Sequence, residues 1–271
     1  MHRGPERAQP RAMLLPLLLA FAVTAVSAGL GVVTYRLARA FWPVTDKDGA
    51  DLAAMVIVRV GILHALIVAL AFAEVKQNEM QTRQLVAEEA VTIADVFYDL
   101  QRYGREQTAA EQRLAVRYAQ QVIGRDWPEL DRSGALSLEA WRTWRELLEH
   151  VLDLDPANRR QELVHARLVR NVYLVEEQRQ KRLIDAHEAP HPFFWFAAVV
   201  GLIVICGCLA PYPPRRSTHA LVATFAGFTG AVLYLAYDVT TPFSGLSVIE
   251  PSGFETFLRQ SEPAEIIARM R

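Results

Sequence analysis

Four apolar stretches, set as two pairs around a charged segment, constrain this chain more than any motif in it. They cover residues 14–35, 52–73, 192–210 and 220–237, and the charged segment covers residues 74–190. A helix needs about 20 apolar residues to cross a hydrocarbon core of about 30 Å, so each stretch is expected to span a bilayer. Hydrophobic residues make up 52% of the 271, yet 22% are charged, an ordinary share for a soluble protein. Charge is therefore concentrated between the stretches. The first stretch follows Arg3, Arg7 and Arg11 as a signal peptide would, but it runs on past Ala28 to Tyr35, too far for a cleaved signal. With a formal net charge of −1 and no basic run interleaved with aromatics, nothing points to nucleic acid.

Lys and Arg near the stretch ends set the expected orientation. Arg3, Arg7, Arg11, Lys76, Arg83, Arg179, Lys181, Arg182, Arg259, Arg269 and Arg271 fall on one side. They outnumber Arg36, Arg39, Lys47, Arg215 and Arg216 on the other. The expectation is a multi-pass protein of the inner (plasma) membrane with both termini cytoplasmic. Residues 1–12 then form a cytoplasmic tail, 13–73 two transmembrane helices, 74–190 a cytoplasmic helical bundle, 191–238 two further transmembrane helices and 239–271 a cytoplasmic C-terminal tail. Small residues recur every four positions, as Ala223, Gly227 and Ala231, Ala226 and Gly230, Ala25 and Gly29, and Ser27 and Gly31. Such spacing lets helices approach closely, within one subunit or between copies.

The charged segment reads as helices. Val86, Ala90, Ile93, Phe97 and Leu100 hold a 4-3-4-3 spacing, one apolar stripe on a long helix. No Gly or Pro separates that helix from the second apolar stretch, so the two are expected to be continuous. A helix over residues 109–123 is expected to end at a turn through Asp126, Trp127 and Pro128, and another carries Trp141, Trp144, Leu148 and Val151. Asp155-Pro156 reads as the start of a last helix, which directs Leu168, Val172 and Val175 inward. Residues 246–249 read as extended. The fold class is therefore all-α: four transmembrane helices in two pairs flanking a long antiparallel cytoplasmic bundle.

Ionisable groups at membrane depth are costly and point to function. Arg59 and His64 are the two within the second stretch. His64 shares a helical face with Ile57, Gly61, Val68 and Phe72. That face either lines an aqueous path or hydrogen-bonds its histidine to a neighbouring helix. Arg59 either snorkels to the interface or supplies charge near such a path, and Glu74 stands at the other end of the stretch. Asp238 closes the fourth stretch, and Pro242, Phe243 and Gly245 make a defined turn where the chain leaves the membrane. His187 and His191 flank Pro190, which breaks the geometry a metal pair needs. Neither Glu88-Glu89 nor Glu176-Glu177 has the Glu-x-x-His spacing of di-iron bundles, so no metal and no cofactor is expected. Cys206 and Cys208, two residues apart on a helix, read as small buried side chains. No nucleophile elbow, phosphate-binding glycine loop or zinc-protease motif occurs, so an enzyme is not expected.

The order of several pieces resembles the bestrophin-like family of membrane proteins. These are the second stretch flowing into Gln84, Glu88, Glu89-Ala90 and Tyr98; then Tyr118 and Trp127-Pro128; then Glu177, Arg179 and Arg182-Leu183; and last Asp238 with Pro242-Phe243-Ser244-Gly245. The resemblance implies a homo-oligomer, pentameric by analogy, that passes an anion such as chloride. It also implies a pore lined by the second helix, through Ile57, Gly61, His64, Val68 and Phe72. Animal bestrophins follow their proline-phenylalanine pair with an acidic cluster; Ser244, Gly245 and Leu246 stand there instead, so no calcium site is implied. The expected function is an oligomeric anion channel in the lipid bilayer. The alternative is a non-conducting scaffold or sensor whose bundle binds a protein partner.

Overall fold

A computed structural model describes residues 10–41, 47–185 and 191–269, and among them all regular secondary structure is helical. The helices are α1 (Pro10–Phe41), α2 (Lys47–Gly104), α3 (Ala109–Gln121), α4 (Trp127–Ser133), α5 (Leu138–Leu152), α6 (Arg159–Asp185), α7 (Pro192–Cys208), α8 (Arg216–Val239) and α9 (Ser252–Arg269). The chain divides into two compact units, Met1–Glu79 with Ala189–Ser247, and Met80–Glu188 with Val248–Arg271. His187, Arg3 and Arg7 lie outside the described residues.

The expected continuity of the second stretch with the charged segment is borne out. α2 is unbroken for 58 residues and contributes to both units. No glycine or proline between Gly61 and Gly104 interrupts its ladder of hydrogen bonds.

In the first unit, α1, α2 and α8 are long and apolar enough to cross a bilayer. The third expected span, over residues 192–210, is shorter. α7 is wholly apolar but has 17 residues, about 25 Å at 1.5 Å per residue. It stops before the proline-rich stretch that holds Pro211, Pro213 and Pro214, which cannot continue a helix. Tyr35 donates to the Tyr212 carbonyl (2.8 Å), and Arg39 Nη1 to the carbonyls of Ala210 (2.8 Å) and Tyr212 (3.0 Å). Side chains of α1 thereby satisfy backbone groups that the end of α7 leaves free. Small residues bring α1 onto α8 within the chain. A Cβ on Gly31 would lie 2.5 Å from Ala226 Cβ, and one on Gly230 would lie 2.2 Å from Ser27 Oγ. Tyr35, Leu202, Cys206, Val222 and Ala226 form the buried core between these helices.

The second unit has its own core. Val86, Ala90, Ile93, Phe97 and Leu100 are buried, as their spacing predicts, together with Leu168, Val172 and Val175 of α6 and Trp144, Leu147 and Val151 of α5. Four expectations change here. The turn at Asp126 is instead a π-helical turn, Val122–Asp126, leading directly into α4. α6 begins at Arg159 rather than beside Asp155, because Asn158 Oδ1 accepts from the Gln161 N–H (3.0 Å) and caps it. Residues 239–271 are also more than a tail. From Val248 the chain belongs to this core, with Phe254 and Phe257 buried and Phe257 edge-on to Phe97. Residues 246–249 form a bend and irregular chain rather than a strand.

Candidate functional site

The stripe of α6 that buries Leu168, Val172 and Val175 continues in register to Arg179 and Arg182, both almost wholly buried. An arginine on an apolar face requires an anion to meet it. Asp126, at the end of the π-turn, is that anion. Arg179 donates to both Asp126 oxygens, and Arg182 Nη2 donates to Oδ2 at 2.8 Å. Asp126 Oδ1 also accepts from the Ser137 N–H (2.9 Å), and Arg179 Nη2 donates to the Ser137 carbonyl (2.9 Å). The ion pair thereby fixes the start of α5, where Ser137 is the N-cap.

Glu89 of α2 completes the cluster. Tyr118 of α3 donates to Glu89 Oε1 at 2.6 Å, while Glu89 Oε2 lies 3.4 Å from Arg182 Nε. The second contact is an ion pair without hydrogen-bond geometry: Glu89 Oε2 and Arg182 Nε and Nη1 are buried and make no hydrogen bond. Trp127 stacks on the Arg182 guanidinium at 5.1 Å and donates from Nε1 to the Ile249 carbonyl (2.8 Å). Burial pushes the Glu89 carboxyl above its ordinary range; Arg182, the Tyr118 hydrogen bond and Arg179 pull against it. Burial and the neighbouring Glu89 likewise push the Tyr118 hydroxyl well up. A second link of this kind holds α2 to α6: Asp99, buried, accepts from Arg102 (2.7 Å) and from both arms of Arg167.

In the first unit, α2 presents an inward face. His64 is 6% exposed, Ala71 and Val75 are buried, and Ile57, Gly61 and Val68 are half-buried. The His64 ring lies against Gly201 of α7, where a Cβ would sit 2.3 Å from Nδ1, and neither ring nitrogen has a hydrogen-bond partner. The structure therefore turns the histidine stripe toward the chain's own α7. Phe72, Arg59 and Glu74 are exposed.

At the end of α8, Asp238 is buried and its carboxylate accepts from the Leu246 N–H through both oxygens (3.0 Å each). Gly245 takes φ +88°, and a Cβ there would meet Asp238 Oδ1 at 2.4 Å. Glycine meets both demands at once, a left-handed backbone and no side chain. Phe243, within this turn segment, is buried. His191, the loop histidine within the described residues, caps α7 by accepting from the Phe193 N–H (3.2 Å).

A family model for the bestrophin-like domain matches residues 20–254. The chain belongs to the bestrophin-like family. No curated protein and no solved structure matches it. In this bestrophin-like chain, residues that carried the resemblance while far apart in sequence meet in space. Glu89, Tyr118, Trp127, Arg179 and Arg182 form one buried cluster, and Asp238 with Gly245 forms one turn. These positions hold the fold together. Asp126, the hub of the cluster, was not singled out as charged by sequence reasoning, although two arginines on the apolar stripe of α6 were the signal for it.

Proposed function

We propose that the protein is an oligomeric anion channel whose passage is lined by α2, the helix that runs unbroken through both units. The observation that carries this reading is the bestrophin-like match over most of the chain, joined to three helices apolar enough to span. Arg59, exposed within the apolar part of α2, supplies positive potential toward one end of the passage. The inner plasma membrane, with both termini and the second unit in the cytoplasm, suits the distribution of Lys and Arg. Purified protein in liposomes should carry chloride. Absence of chloride flux across a range of pH would reject the channel.

The competing reading is a non-conducting scaffold that docks a cytoplasmic protein. An open groove of about 680 Å³ beside Leu136, Leu138, Trp141, Leu183 and Ile184 favours it. A monomeric or dimeric protein without flux would be its expected signature.

A further inference from the structure

One end of the first unit gathers arginines that orientation does not explain. Arg36, Arg39, Arg215 and Arg216 all fall on the side with fewer Lys and Arg. Arg36 and Arg39 come from the end of α1, and Arg215 and Arg216 open α8. Both helices belong to the same compact unit.

Hydrogen bonds hold the α1 pair against this end. His219 Nδ1 lies 2.9 Å from the Arg215 carbonyl and carries the ring proton there. His219 Nε2 accepts from Arg36 Nε (3.3 Å), and Tyr35 packs edge-on against the same ring at 5.5 Å. Arg36 is thereby fixed beside the first turn of α8, with both Nη groups still able to donate. Arg39 gives Nη1 to the Ala210 and Tyr212 carbonyls. Each of these acceptors is uncharged. Among the described residues, no carboxylate pairs with any of the four arginines.

Positive charges gathered at one place repel one another, and a shared anion relieves that repulsion. The surroundings say which anion. Val33 and Leu37, neighbours of Arg36 on α1, are exposed and apolar, as is Leu221 on α8. Both helices are long and apolar enough to span a bilayer, and the arginines stand at their ends, where headgroups lie. An ion from solution would meet only the charged half of this surface. An amphiphile with a phosphate head and acyl chains meets both halves.

We propose that Arg36, Arg39, Arg215 and Arg216 form a binding site for the headgroup of an anionic phospholipid. The phosphate accepts from the Nη groups of Arg36 and from Arg215 and Arg216, and the acyl chains lie along Val33, Leu37 and Leu221. Arg39, tied to the end of α7, adds positive charge beside the phosphate. The site is independent of conduction: a protein that carries no chloride would keep it.

The test uses full-length protein in mild detergent, with phosphatidylglycerol, phosphatidylcholine or inorganic phosphate added. Phosphatidylglycerol should raise the unfolding temperature; phosphatidylcholine and inorganic phosphate should not. Native mass spectrometry then counts the lipid retained. Arg36→Gln should weaken retention of phosphatidylglycerol roughly fivefold, and the triple variant Arg36→Gln, Arg215→Gln, Arg216→Gln roughly a hundredfold. Arg160→Gln, which removes an exposed charge from α6 in the second unit, should leave retention unchanged. The single variant carries the test if the triple variant does not fold. Equal responses to the two lipids, a full response to inorganic phosphate, or equal losses in Arg160→Gln and the cluster variants would overturn the proposal. So would a cluster variant that loses copies from the particle while keeping its lipid, since the arginines would then pair with a second copy.

Discussion

At the scale of single residues, the buried ion cluster carries the sharpest consequences. Arg182 faces Asp126 and Glu89 with no exposure to solvent. Arg182→Leu would remove the ion pair of buried Glu89 and leave Asp126 to Arg179 alone, a loss of about 3–5 kcal/mol that should appear as a lower unfolding temperature in detergent. The Glu89 carboxyl is raised above its ordinary value of 4.5 by burial. The native state therefore holds this proton over a pH window where the unfolded chain has released it. The stability tied to Glu89 is full below 4.5 and is lost as pH rises through its raised native value. Melting of the parent protein should accordingly show a fall as pH increases from 4.5, and Glu89→Gln should remove that component. An identical pH slope in both proteins would contradict the assignment. The arginines were readable in advance, since positions 168, 172, 175, 179 and 182 keep one helical spacing. Their partner was not readable, because Asp126 lies more than fifty residues away on a π-turn with no local signal.

At the scale of elements, close approach decides how the helices lie. Gly201 accepts the His64 ring, and the gap between them admits no Cβ. Gly201→Ala should destabilise the protein by about 1–3 kcal/mol, as overpacking does, and His64→Ala should restore most of that loss. Melting of the two single variants and the double variant checks this. The Asp238 turn gives a parallel case. Gly245→Ala meets both an unfavourable φ and the Asp238 carboxylate, so Asp238→Ala should rescue it only in part, because the backbone strain remains. Small-residue spacing announced tight packing in α1 and α8, but two partners were open to it, another copy or the same chain. Gly31 against Ala226 and Gly230 against Ser27 show it used within the chain.

At the scale of the whole molecule, the unbroken α2 is one helix common to both compact units of this bestrophin-like chain. For a channel, the mass of the purified particle should be that of a closed ring of copies, and the same preparation should carry chloride. A monodisperse monomer would count against both. Exposed apolar side chains cover α1 and the apolar first half of α2, as a helix in lipid or against another copy requires.

The sequence by itself determined the class of this protein: long apolar runs leave the bilayer as the only solvent they suit, and a 4-3-4-3 stripe has one stable use, as the buried side of a helix. It also placed the long helix, because nothing in residues 62–103 breaks one. Tertiary structure alone decided which side of that helix is inward. Within an apolar stretch every face looks alike to hydropathy, and only the gap left by Gly201 on α7 shows where His64 goes, and so which face of α2 remains open.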